Sequence, residues 1–95
     1  MNKFAGTIAV VTGASAGIGL GITKRLLQEP DLIVIGLARR SIDIVNDKFT
    51  SIKCDVGKAE DVEAAFNQIK KQYPAKCISI LINNAGHAKV INRKG

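Results

Sequence analysis

Thr12-Gly13-Ala14-Ser15-Ala16-Gly17-Ile18-Gly19 is the stretch on which the fold turns. It is preceded by Thr7–Thr12, TIAVVT, a β-branched apolar run that reads as a buried strand. It is followed by a change of period. Over residues 17–28, Ile18, Ile22 and Leu26 recur at i+4 spacing, and Leu27 widens the stripe into an amphipathic helix. Pro30 stops that helix, because proline cannot continue it and restricts the residue before it. The glycines therefore sit at a strand-to-helix turn.

The remainder of the chain repeats this alternation. Residues 32–37, LIVIGL, form a second continuous apolar strand, and residues 49–54, FTSIKC, a third. Residues 39–48 between them are polar and irregular, with one short helical turn expected around 42–45. Residues 57–72 carry Val62, Phe66 and Ile69 on one helical face, with Glu60, Asp61 and Glu63 in the first turns, where the helix dipole favours carboxylates. Tyr73-Pro74 ends this helix, and residues 78–82, ISILI, make a fourth strand before Asn83-Asn84-Ala85-Gly86. Apolar strands separated by amphipathic helices imply an α/β fold, with a parallel sheet covered on both faces.

Composition narrows the function classes. The chain has 95 residues, 46% of them apolar, which suits one ordered domain or part of one. Its +6 charge is scattered along the sequence with no dense basic run. Most of it reads as solvated surface, with a few bases facing a phosphate-bearing ligand. Three Phe, one Tyr and no Trp offer no stacking platform for single-stranded nucleic acid. No apolar run approaches the roughly 18 residues that span a bilayer. Gly13, Ser15 and Gly17 interrupt the first apolar stretch, which rules against a secretory signal. Cys54 and Cys77 lack metal-ligand spacing and read as buried free thiols of a reducing compartment. The expectations are a cytoplasmic protein with no metal, nucleic-acid or membrane partner.

The glycine loop carries the chemistry. The N-terminus of a helix presents free N–H groups and a positive dipole end, which attract a pyrophosphate. Gly13 permits the tight turn, Gly17 lets the backbone approach phosphate with no Cβ between them, and Gly19 lets the helix pack close to the sheet.

The spacing, Thr12-Gly13-x-x-x-Gly17-x-Gly19, is similar to the T-G-x-x-x-G-x-G motif of the short-chain dehydrogenase/reductase family. Asp55-Val56, after the third strand, resembles that family's acidic position beside adenine. Asn83-Asn84-Ala85-Gly86, after the fourth, resembles its N-N-A-G motif. The resemblance runs from Thr7 to Gly86 and implies the first half of a doubly wound, Rossmann-like NAD(P)-binding domain occupying residues 1–95. It implies an oxidoreductase moving hydride between nicotinamide and a small-molecule alcohol or carbonyl substrate, and a homo-oligomer when complete. The cofactor-binding set it implies is Gly13, Ser15, Ala16, Gly17, Ile18, Gly19, Arg39, Arg40, Asp55, Val56, Asn84, Ala85 and Gly86. Asn83 would tie the fourth strand to its neighbours, and Thr12 would bridge strand to loop.

Ala38 stands where NAD users often carry a ribose-binding carboxylate, and Arg39 and Arg40 follow it. A guanidinium pairs with a 2′-phosphate, so NADP is expected rather than NAD, with Arg39 the main contact; the alternative for the arginine pair is a solvated loop. Asp55 either bonds the adenine amino group or caps the following helix. His87, just past the N-N-A-G motif, reads as a loop histidine. The family's reaction uses a tyrosine with a lysine four residues on, plus a serine. The one tyrosine, Tyr73, has Lys76 at i+3 and closes a helix, so no catalytic residue is assigned. These features suggest a cofactor-binding fragment that is inactive and prone to associate through ISILI; the alternative is a non-catalytic dinucleotide-binding or regulatory module.

Overall fold

A computed structural model describes residues 5–84. The elements run β1 (Thr7–Thr12), α1 (Gly17–Leu26), β2 (Ile33–Ala38), β3 (Phe49–Lys53), α2 (Ala59–Gln72) and β4 (Cys77–Ile82). The four strands form one parallel sheet in the order β3-β2-β1-β4. The chain thus builds outward from β1 to β3, then crosses back to place β4 on the other side of β1. This reversal of direction is the topological switch point, where open α/β sheets bind ligands beyond the carboxyl ends of their strands.

The two helices cover opposite faces. Ala9, Val11, Leu32, Val34 and Ala38 form one buried cluster, on which Leu20, Ile22, Leu26 and Leu27 of the α1 region pack. Ile8, Val10, Ile35, Leu37, Ile52 and Cys54 form the other with Ala65 and Ile69 of α2, supported by Val62 and Phe66. The expected α2 stripe therefore meets the sheet. The α1 stripe departs from expectation at its first member: Ile18 is 74% exposed. It lies in the first helical turn, where α1 starts beyond the ends of the strands and has no sheet beneath it.

The connector 39–48 forms no helical turn. Ile42 is buried instead, its N–H donating to Ser51 Oγ at 3.1 Å. A Cβ on Gly36 would fall 2.7 Å from Ile42 Cδ1 and 2.9 Å from the Phe49 ring, so the bare glycine face of β2 is what Ile42 and Phe49 cover. That anchorage holds the segment off helical geometry, and Asp43, Val45, Asn46 and Asp47 are weak helix formers. α2 begins two residues later than its pattern suggests because 55–58 are taken up by a turn, Lys58 N–H donating to the Asp55 carbonyl at 2.9 Å.

Lys48 is an unforeseen clasp. Its ammonium donates to the carbonyls of Leu27 (2.8 Å) and Glu29 (2.6 Å), where α1 runs out of intrahelical partners. The two cysteines separate as well. Cys54 is buried, whereas Cys77 is exposed, correcting the expectation of two buried thiols. The reason is topological: β4 is an edge strand among the described residues, leaving Ile78 and Leu81 exposed beside a groove that Phe66 also lines. Among these residues no helix is long and apolar enough to cross a membrane.

Lys48→Met should lower stability in urea by about 1–3 kcal/mol, as expected for losing hydrogen bonds from a charged donor to helix-terminal carbonyls. No change in the midpoint would remove the clasp. Burial, then the nearby charges of Asp61 and Asp55, push the Cys54 thiol above its usual range. A raised folded value means the folded thiol stays neutral while the unfolded one ionises. This group therefore costs stability only as pH rises past about 8.5, the free-thiol value. Iodoacetamide near neutral pH should label Cys77 and spare Cys54; equal labelling of both in the folded chain would contradict the burial.

Candidate functional site

Four segments reach the same edge of the sheet because all four strands run parallel. Thr12 is in register with Leu37, and Ala38 with Lys53, so the residues after β1, β2 and β3 emerge side by side. Gly13 N–H continues the ladder to the Leu37 carbonyl at 2.9 Å, and Cys54 N–H to the Ala38 carbonyl at 2.8 Å. The glycine loop, Arg39-Arg40, Asp55-Val56 and Asn83-Asn84 are thereby brought to one rim.

The loop from β1 to α1 is shaped by its glycines. Gly13 and Gly17 have φ of 62° and 58°, in the left-handed region that side chains resist. A Cβ at Gly17 would meet open space, so the constraint there is backbone conformation rather than packing. Gly19 is the opposite case. A Cβ there would overlap the Gly13 carbonyl and lie 2.6 Å from Asn84 Nδ2. The absence of a side chain at 19 is what allows α1 to approach the end of β1.

A hydroxyl ties this approach to β4. Thr12 is buried, and its Oγ1 donates to Asn83 Oδ1 at 2.9 Å while accepting the Asn84 N–H at 2.8 Å. Asn83 thus links β4 to the end of β1, and Asn84 lies against the glycine loop. Thr23, fully buried on α1, satisfies its hydroxyl on the Gly19 carbonyl at 2.8 Å.

The two helix N-termini differ in charge. The α1 N-cap is Ala16, with no side-chain cap hydrogen bond and no acidic residue in the first turn. The α2 N-cap, Lys58, is also without a side-chain cap, yet Glu60 and Asp61 occupy its first turn. The dipole end of α1 therefore carries free N–H groups and no local anion, the state that suits an incoming phosphate. Arg39 and Arg40 are exposed just past β2.

Asp55 does not cap α2. Its Oδ1 accepts the Gly57 N–H at 2.9 Å, closing an Asx turn before the helix begins, and the capping alternative is set aside. Its own N–H donates to Asp61 Oδ2 at 3.0 Å. By sequence Asp61 is only a partner of the helix dipole; its reach back to the strand end has no signature in the spacing. Val56 packs on the α2-side core. Tyr73 closes α2 and precedes β4, which puts it at the opposite rim of the sheet from the glycine loop. Ala85, Gly86 and His87 lie outside the described residues.

The comparisons with known proteins agree with this architecture. Residues 7–94 match the family model for short chain dehydrogenase. The chain is 38% identical over 96 residues to a farnesol dehydrogenase of Aedes aegypti, covering 90% of this chain and 38% of that protein. In the ligand-free aldohexose dehydrogenase of Thermoplasma acidophilum the same fold recurs with a TM-score of 0.76 and 36% identity, over 90% of this chain and 31% of that one. Others of this fold have been solved with NAD+ and with NADP bound: a short chain dehydrogenase of Leptospira borgpetersenii (25% identity, TM-score 0.74) and a metagenomic short-chain oxidoreductase (27% identity, TM-score 0.71), of which the chain covers 32% and 40%. The chain thus spans well under half the length of the relatives it matches. With its Rossmann-like parallel sheet, its glycine loop and the family match over nearly its whole length, the chain belongs to the short chain dehydrogenase family.

Proposed function

We propose that the chain is the dinucleotide-binding part of an NADP-dependent oxidoreductase that moves a hydride between the cofactor and an alcohol or carbonyl substrate. The observation that carries this reading is the start of α1. An uncapped, acid-free helix N-terminus sits on a glycine turn at the C-terminal rim of the sheet, with two exposed arginines following the adjacent strand. In this reading the backbone of Ser15, Ala16, Gly17 and Ile18 takes the pyrophosphate, and the exposed Ile18 side chain is covered by the bound dinucleotide. Arg39 pairs with the 2′-phosphate, and Arg40 adds charge beside it. Asp55 and Val56 receive the adenine. Asn84, with Ala85 and Gly86, lines the ribose on the nicotinamide side. The nicotinamide supplies the hydride chemistry when bound; these residues bind and orient it.

The arginines decide between the two cofactors. A carboxylate after β2 would bond a free 2′-hydroxyl and repel a 2′-phosphate, and this chain has Ala38 followed by guanidinium groups instead. The free thiols and the exposed apolar edge at Ile78 and Leu81 are the support for a cytoplasmic protein that works as a homo-oligomer.

Calorimetric titration of the chain with NADP and with NAD tests the reading. The wild type should favour NADP by at least about tenfold, the effect of a charge-assisted bidentate pair. Arg39→Asp should abolish or invert that preference. An unchanged preference in Arg39→Asp, or no binding of NADP by the wild type, would contradict the proposal.

A further inference from the structure

Asp55 is held at three points. Its N–H donates to Asp61 Oδ2 at 3.0 Å, its carbonyl accepts from Lys58 N–H at 2.9 Å, and its Oδ1 accepts from Gly57 N–H at 2.9 Å. The second carboxylate oxygen has no hydrogen bond among the described residues. Two of the three holds come from backbone groups of the same turn. Asp61 is the one side chain among them, projecting from the first turn of α2 back to the end of β3. It is half-buried, whereas its neighbours Glu60 and Glu63 are exposed.

This arrangement departs from the ordinary use of an acid at the third position of a helix. There the carboxylate reaches back to the N-cap N–H of its own helix. Here the N-cap is Lys58, and Asp61 passes over it to a residue three positions earlier. The preceding residue is fixed too, Cys54 N–H donating to the Ala38 carbonyl, the last position of β2 before Arg39. A continuous set of hydrogen bonds therefore runs from the end of β2 through Cys54 and Asp55 to α2.

We propose that Asp61 is a positioning residue for nucleobase recognition: by fixing the Asp55 backbone, it aims the unengaged oxygen of Asp55 at the exocyclic amine of a bound adenine. The inference rests on the reading of this rim as a dinucleotide site and adds the group that sets its base specificity. An amine at the purine 6-position donates to a carboxylate, whereas a carbonyl there meets it acceptor to acceptor. Base discrimination thus depends on where the Asp55 oxygen points, and Asp61 controls that direction without touching the base. The 2′-phosphate clamp at Arg39 is held by β2 and does not pass through Asp61.

The test compares adenosine 5′-diphosphate with inosine 5′-diphosphate, and NADP with NAD, by calorimetric titration of the full chain. The wild type should favour the adenine ligand by about tenfold or more, as expected for a hydrogen bond to a charged acceptor. Asp61→Ala should bring the two diphosphates within about threefold while leaving the ratio of NADP to NAD unchanged. Asp61→Asn keeps an acceptor oxygen and should retain the preference, as should Glu60→Gln, which removes a carboxylate from the same turn. A folding defect would instead weaken all four ligands together and leave both ratios as in the wild type, so loss of the adenine preference beside an unchanged NADP-to-NAD ratio separates the two. Retention of the wild-type base preference in Asp61→Ala would overturn the inference while leaving the dinucleotide site standing. Absence of any nucleotide binding by the wild type would remove the site and the inference together.

Discussion

Helix α1 can reach the sheet only because position 19 has no side chain. A single methyl group there would collide with the carbonyl of Gly13 and with Asn84. The close approach brings the start of the helix down onto the end of β1, and Thr12 secures it from below by joining β1 to Asn83 and Asn84. What the rim presents depends on this contact. The helix N–H groups, the arginines after β2 and the carboxylate after β3 share one edge because the strands are parallel, in register and anchored to the same glycine turn.

The two helices then play different electrostatic parts. α2 carries Glu60 and Asp61 in its first turn, so its positive end already has local anions, and one of these is spent on the backbone of Asp55. α1 has none and ends instead in Lys24 and Arg25, with Lys48 reaching the carbonyls that follow. Positive potential at the α1 N-terminus is therefore left for an external anion. The far side of the sheet is unlike the rim. β4 carries apolar side chains that stay exposed, and its outer edge is unpaired among the described residues, which makes it an adhesive surface.

Much of this is legible in the sequence. Continuous apolar runs identify β1 and β2, since strands buried on both faces of a parallel sheet need no alternation, and β4 is found by the same kind of run although its faces stay partly open. The glycine spacing read against its flanks places the turn, and Val62, Phe66 and Ile69 give the buried face of α2. What was illegible depends on partners distant in sequence. Ile42 is buried because Gly36 leaves a bare patch on β2, so the connector stays irregular where its local pattern suggested a helical turn. Ile18 fits the α1 stripe by spacing, yet the sheet ends before it. Cys77 looks like core in an apolar run, and becomes exposed because β4 is placed at an edge. Lys48 and Asp61 reach across to backbone atoms 19 and 21 residues away in one case and six in the other, distances that side-chain periodicity does not encode.

The function proposed for this rim requires that the free N–H groups at the start of α1 bind the pyrophosphate of a dinucleotide. Backbone amide NMR of the isotope-labelled chain, titrated with NADP, tests it most directly. Saturable shifts of the Ser15, Ala16, Gly17 and Ile18 amides, with Arg39 and Asp55 following, are the predicted result. Shifts confined to the basic surface away from this rim, or no saturable shift in the glycine loop, would rule that binding out.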